Sequence, residues 1–224
     1  MRTFLEIVYF VYVGVLLPYA IIRGTKRASK APPKEINPSK ASLVSLAILW
    51  FLGLFAIVCA HRLYIPLFPQ WNPKWPELVA GLIFFSIAVA SRQVMQPWLK
   101  KSVPPGFKSL LPSNIGGLSL WVALSISAGF CEEIVYRGVL YYSLADLTTN
   151  AWIAFVLSSL VFGVNHYNQG FRAVLFISTF ALGLQGLVVW SGTLYTAIIV
   201  HAIYDIALGL LALRPPRRRD RNRS

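Results

Sequence analysis

The sequence predicts an all-α protein, a polytopic membrane bundle of about seven transmembrane helices. Hydrophobic residues make up 56% of the 224 residues and charged residues 13%, about half the charged fraction of an ordinary soluble domain. The apolar residues form long runs, and the polar segments between the runs are short. A soluble domain could not bury so much apolar surface, because roughly half of its water-facing surface is already apolar.

Seven apolar runs, each bounded by charges or by Pro and Gly, predict the helical spans. They lie near residues 3–22, 43–60, 77–95, 115–145, 151–166, 172–190 and 193–213. The run 115–145 is long enough to bend or break, which would give an eighth span. The chain then divides into N-terminal membrane helices with basic loops (1–114), a motif-bearing core (115–213) and a basic tail (214–224).

The basic residues predict which side of the membrane each loop faces. The chain has 21 Lys and Arg against 8 Asp and Glu, a formal charge of +13. With the N-terminus outside, 17 of the basic residues fall in inner segments and 3 in outer segments. Because cytoplasmic loops collect Lys and Arg, this bias predicts a multi-pass protein of the cell membrane with a cytoplasmic C-terminus.

The basic tail by itself could indicate a nucleic-acid-binding protein. The same excess of Lys and Arg recurs in the inner loops, however, and a basic segment beside a membrane helix attracts anionic lipid. We therefore expect the basic loops and the tail to contact anionic lipids, and we expect no nucleic-acid partner.

Ionisable side chains inside an apolar span are costly, so each is a candidate functional residue. Glu133 and Arg137 are four residues apart with the carboxylate first, the favourable order for an ion pair on a helix. Glu132 points about 100° away from Glu133 and is left without that partner. An unpaired buried carboxylate suits a general base or a general acid.

Two histidines and Asp205 complete the set of ionisable candidates within the spans. Phe162 and His166 share one helical face in the fifth run. His201 and Asp205 are four residues apart in the last run, so the pair could bind a metal, orient a water or form a simple hydrogen bond. If the helices were straight and vertical, His201 and His166 would lie roughly 12 Å and 22 Å below the outer ends of their spans, which would not align them.

Taken together, two carboxylates and two histidines could activate water against a carbonyl group. The parts of other intramembrane proteases are missing, because the sequence has no GxSxG, HExxH or GxGD motif. Cys131 lies in an apolar setting, which disfavours the thiolate that a nucleophile requires.

The three motifs, in this order, resemble the CPBP family, which comprises the CAAX proteases and the bacteriocin-processing or immunity proteins also called the Abi family. The motifs are Glu-Glu-x-x-x-Arg (Glu132, Glu133, Arg137), Phe-x-x-x-His (Phe162, His166) and His-x-x-x-Asp (His201, Asp205). The resemblance covers about residues 118–213 and implies an intramembrane endopeptidase that acts on a membrane-associated protein or peptide. The alternative is a non-catalytic scaffold or a bacteriocin self-immunity protein of the same fold.

The resemblance also implies a role for each motif residue. Glu132 and His166 would activate the attacking water, and His201 with Asp205 would stabilise the oxyanion or hold a metal. Glu133, Arg137 and Phe162 would brace the site.

Asp205 departs from the family pattern, since the CAAX enzymes typically have Asn at this position. An ionised Asp cannot donate a hydrogen bond to an oxyanion. Asp205 is therefore either protonated or a metal ligand. In the second case His166, His201 and Asp205 form a set of two histidines and one carboxylate, a common pattern of catalytic zinc, and the protein is a metalloendopeptidase with Glu132 as its base.

Overall fold

The computed structural model describes residues 2–30, 37–69, 74–100, 111–112 and 114–213. The predicted basic tail, 214–224, lies outside the described residues. All the regular elements of the described part are helical, which confirms the all-α fold class. The α-helices in chain order are α1 (Arg2–Phe10), α2 (Leu17–Ala28), α3 (Pro38–Leu63), α4 (Trp75–Val94), α5 (Gln96–Lys100), α6 (Ile115–Glu133), α7 (Tyr141–Thr148), α8 (Ala151–Val164), α9 (Phe171–Ser191) and α10 (Tyr195–Ala212).

Three short helical segments of other types join these helices. The first π-helical segment, Val11–Leu16, joins α1 to α2, and the second, Ile134–Leu140, joins α6 to α7. A 3₁₀ turn, Tyr167–Gln169, precedes α9. The run 115–145 is therefore one continuous helix, Ile115–Thr148, and the break that would have given an eighth span does not occur.

Six helices of the described chain are long and apolar enough to cross a membrane, and they confirm the polytopic helical bundle. The predicted fifth span, 151–166, is a shorter apolar helix of 14 residues that ends at Val164. At 1.5 Å per residue it is about 21 Å long, less than the ~30 Å of a hydrocarbon core. His166 therefore lies beyond the end of α8 rather than within it.

Asparagine side chains fix where several helices begin. Asn37 accepts a hydrogen bond from the backbone N–H of Lys40 at the start of α3, and Asn114 accepts one from Gly117 at the start of α6. Asn150 accepts from the first turn of α8, directly after Thr149 in the left-handed conformation (φ 52°). These caps satisfy N–H groups that a helix leaves unpaired. The Asn37 cap places the start of α3 before the predicted apolar run 43–60.

The motif-bearing helices form the centre of the bundle. Helix α6 packs against α3 and α10, α8 packs against α7 and α9, and α10 also packs against α4. Every residue of the second π-helical segment is buried. Large apolar side chains such as Phe51 and Leu82 remain exposed on the outer helices, as expected for surfaces that face lipid.

Candidate active site

The structure brings Glu132, His166 and His201 together from three separate segments of the chain. The Oε2 atom of Glu132 lies 3.9 Å from Nε2 of His166 and 3.8 Å from Nε2 of His201. Straight, vertical helices would not have aligned His166 with His201, yet both imidazoles lie within 3.9 Å of the Glu132 carboxylate. His166 lies in the turn that follows α8, which ends at Val164.

Glu133 lies behind this group and is fully buried. Its Oε1 atom accepts hydrogen bonds from Nη1 of Arg137 at 3.0 Å and from Nδ1 of His201 at 2.7 Å. Arg137 is only 1% exposed. The predicted ion pair between Glu133 and Arg137 is confirmed, and it also holds His201.

The hydrogen bond between His201 and Glu133 was not predicted from the sequence. An ionised carboxylate can only accept, so Nδ1 of His201 carries the hydrogen and Nε2 faces Glu132. The two partners are 68 residues apart. No local spacing pattern could have indicated this contact, because such patterns relate only residues within about one helical turn.

His166 is oriented in the same way by a backbone group. Its Nδ1 atom lies 2.8 Å from the carbonyl oxygen of Phe162. A carbonyl oxygen can only accept a hydrogen bond, so Nδ1 of His166 carries the hydrogen. The other ring nitrogen, Nε2, faces the Glu132 carboxylate. Both imidazoles therefore present the same nitrogen to one carboxylate.

Phe162 forms an aromatic wall between the two histidines. Its ring centroid is 4.6 Å from that of His166 and 5.8 Å from that of His201. The guanidinium carbon of Arg137 lies 4.2 Å from the same centroid, within the range of a cation–π interaction. Phe162 itself is 1% exposed, so its ring forms a buried wall of the site.

Asp205 lies at the more open edge of the site. Its Oδ2 atom is 3.7 Å from Nε2 of His201, which is too long for a hydrogen bond. Its side chain is 27% exposed, and those of Glu132 and His166 are 17% and 20% exposed. Its backbone carbonyl accepts a hydrogen bond of 2.7 Å from Nε1 of Trp121.

The predicted metal ligands His166 and His201 both face Glu132, and Asp205 lies beside His201. Nitrogen and oxygen ligands of a tetrahedral zinc are about 3.3 Å apart, whereas Nε2 of His201 is 3.7 Å from Oδ2 of Asp205. Among the described residues, no group of three His, Cys, Asp or Glu side chains is close enough to hold a metal ion. A bound metal therefore stays a prediction.

Two glycines allow the close helix packing that forms the site. A Cβ atom on Gly129 would lie 2.9 Å from the backbone oxygen of Ile198 and from the backbone nitrogen of Ala202. A Cβ atom on Gly163 would lie 2.9 Å from the backbone oxygen of Val174. Because real Cβ atoms do not approach so closely, any larger residue would separate α6 from α10, or α8 from α9.

These features define a class of protein: a helical membrane protein with carboxylates and imidazoles converging inside the bundle. A family model described as type II CAAX prenyl endopeptidase Rce1-like matches residues 114–207. This match confirms the resemblance to the CAAX proteases over this segment, which contains all the motif residues. No curated protein and no solved structure gives a significant match to the chain.

Proposed function

We propose that this protein is an intramembrane endopeptidase that hydrolyses a peptide bond of a membrane-associated protein or peptide. The observation that carries the proposal is the convergence of Glu132 with Nε2 of His166 and of His201 within 3.9 Å. The family match to endopeptidases supports it. A non-catalytic scaffold or a self-immunity protein would not require this convergence and is not favoured.

In the proposed reaction Glu132 acts as the general base. The 3.9 Å between its Oε2 atom and Nε2 of His166 is too long for a direct hydrogen bond, but a water molecule that contacts both atoms can bond to each. Glu132 removes a proton from this water while His166 orients it. The resulting hydroxide attacks the carbonyl carbon, and the proton then passes to the leaving amine nitrogen as the C–N bond breaks.

His201 is the proposed oxyanion-stabilising group. Glu133, paired with Arg137, accepts a hydrogen bond from Nδ1 and so holds the ring with Nε2 toward the open side of the site. In its imidazolium form His201 donates Nε2–H to the developing oxyanion. A protonated Asp205 beside Nε2 would supply a second donor.

A reconstituted assay tests the proposed activity. Purified protein in lipid vesicles should cleave a fluorogenic peptide that carries a hydrocarbon anchor. Because a lipid surface raises the local concentration of an anchored substrate, the same peptide without the anchor should be cleaved at least about tenfold more slowly. Absence of cleavage across a diverse panel of anchored peptides, with protein shown to be folded, would count against the endopeptidase.

A metal-assisted version of the reaction is a second proposal. His166, His201 and Asp205 would hold a divalent metal, with zinc the ion expected from two histidines and one carboxylate. The bound ion would polarise the carbonyl group or acidify a water. The hydrogen bonds of the two histidines favour this version. The Nδ1 atoms of His166 and His201 both bond to oxygen acceptors, and such bonds orient metal-binding histidines.

Replacing Asp205 by Asn separates the two versions. In the metal-free version Asp205→Asn should retain activity within about tenfold, since the amide donates a hydrogen bond from nearly the same place. In that version chelators should also leave the wild-type rate unchanged. Three results together would establish the metal version. The variant would lose activity, chelators would inactivate the wild type, and the purified protein would contain stoichiometric metal.

We also propose that the protein lies in the cell membrane with its C-terminus in the cytoplasm. If α8 and the turn after it complete a crossing, the chain crosses seven times and its termini lie on opposite sides. The exposed Arg23, Lys26, Arg27 and Lys100 would then face anionic lipid on the inner side.

A fusion after Ser224 tests this orientation. A reporter that is active only when exported should stay inactive there, and a reporter that requires the cytoplasm should be active. The reverse pattern would contradict the proposed orientation.

A further inference from the structure

The first membrane helix, residues 2–28, lies outside the segment 114–207 that matches the family. It nevertheless contacts the motif-bearing core in three places. Its first part, α1, packs on α7, and the side chain of Tyr9 reaches the second π-helical segment. Its last part, α2, packs on the 3₁₀ turn that follows His166. Tyr9 and Val13 are fully buried. A helix that served only as a membrane anchor would not require buried polar contacts with the core.

Two hydrogen bonds join this helix to the core in opposite directions. The hydroxyl of Tyr9 donates to the backbone oxygen of Val135 at 3.1 Å. The side-chain amide of Asn165 donates to the backbone oxygen of Val13 at 3.4 Å. Each acceptor is a carbonyl of a π-helical segment, where the regular helical hydrogen-bond ladder is altered.

A third hydrogen bond closes the network within the core. The amide of Asn165 also donates to the hydroxyl of Tyr136 at 2.9 Å, and Tyr136 is the neighbour of Val135 in the chain. The ring of Tyr136 packs edge-on against Phe162 at 5.0 Å. The network therefore connects the first helix, the second π-helical segment and the end of α8.

This network is adjacent in sequence to both groups that are proposed to activate water. Asn165 directly precedes His166, and Val135 is three residues after Glu132. His166 is in a turn rather than a helix, so its backbone depends on neighbouring contacts for its position. The side chain of Asn165 supplies such a contact, and it is buried.

We infer that the first helix is part of the active-site framework, with Tyr9 and Asn165 as positioning residues that fix the distance between Glu132 and His166. Through Tyr9 the first helix holds the segment that follows Glu132. Through Val13 it holds the residue that precedes His166. The kinetic consequences of this inference depend on the proposed function. Its claim about the position of His166 rests on the geometry alone.

Asn165→Leu and Tyr9→Phe test the inference, because each removes hydrogen-bond donors and keeps a side chain of similar size. We expect Asn165→Leu to lower kcat by about tenfold or more with KM within about twofold, since substrate contacts are unchanged and only the catalytic geometry is disturbed. Tyr9→Phe should lower kcat by a smaller factor. Tyr12→Phe, on the same helix, and Asn168→Leu, at the exposed position of the 3₁₀ turn, are matched controls that should behave as wild type.

Chemical labelling provides a readout that needs no substrate. Diethyl pyrocarbonate modifies accessible imidazoles, and peptide mass spectrometry can compare His166 with the exposed His61. We expect Asn165→Leu to change the labelling rate of His166 at least about threefold, because loss of the amide contacts frees the turn. The labelling of His61 should not change in any variant.

The two readouts distinguish failure of the inference from failure of the proposed function. If the wild type cleaves nothing but Asn165→Leu still alters His166 labelling, the positioning role stands and the proposed activity fails. If Asn165→Leu does not fold, Tyr9→Phe decides the matter. The inference is overturned if the variants that fold match the wild type in kcat and in His166 labelling, or if the two control variants change them equally.

Discussion

Glu132→Gln is expected to abolish peptide cleavage while the protein accumulates normally in the membrane. Glutamine keeps the size of the side chain but cannot accept a proton from water at the oxygen that faces His166 and His201. Loss of a general base typically costs 10²–10⁴-fold in rate, so we expect a fall of at least about 10³-fold. The measurement is the initial rate on an anchored peptide in vesicles, at equal amounts of folded protein.

The matched control for this substitution is Glu77→Gln, which removes a carboxylate at the start of α4, away from the site. It should leave the rate unchanged. If Glu132→Gln cleaves at the wild-type rate, Glu132 is not the base and the proposed assignment of the two adjacent glutamates is wrong.

Arg137→Met is expected to destabilise the protein more than any other single substitution discussed for this site. Glu133 is 0% exposed and Arg137 is 1% exposed, so the substitution leaves a buried carboxylate without its cationic partner. Removing one member of a buried ion pair typically costs about 3–5 kcal/mol. We expect a lower yield and a lower thermal unfolding midpoint in detergent.

The double variant Glu133→Gln/Arg137→Met separates charge from packing. Because no unpaired charge remains buried, we expect it to recover most of the lost stability. It should not recover activity, since the ionised acceptor of His201 Nδ1 is also lost. If Arg137→Met unfolds at the same temperature as the wild type, the buried ion pair between Glu133 and Arg137 does not stabilise the folded protein.

Much of the fold was predictable because the physical signals are local. A membrane span is defined by a run of apolar residues, and the order of Glu133 and Arg137 at i and i+4 predicts their contact. Helix ends were less well predicted, since hydropathy marks the hydrocarbon core rather than the helix. Helix α3 runs from Pro38 to Leu63, although only 43–60 is strongly apolar, because Asn37 caps its start in a polar region.

The shape of the site depended on features without a local signature. The bond between Glu133 and His201 joins residues 68 positions apart, and no residue pattern marks the end of α8 before His166 or the π-helical segment after Glu133. Tyr9 was not identified from the sequence because nothing distinguishes it from other aromatic residues of a membrane helix. Its buried hydroxyl acquires a partner only through a contact between residues 126 positions apart.

Quantitative mapping of protein termini in membranes tests the central claim most directly. Cells that contain the wild type should be compared with cells that contain Glu132→Ala at equal abundance, with peptides collected from both the membrane and the released fraction. The endopeptidase account predicts a defined set of new N- and C-termini on membrane-associated proteins that is present with the wild type and absent with Glu132→Ala. Identical termini in the two samples, with both proteins folded in the membrane, would contradict it.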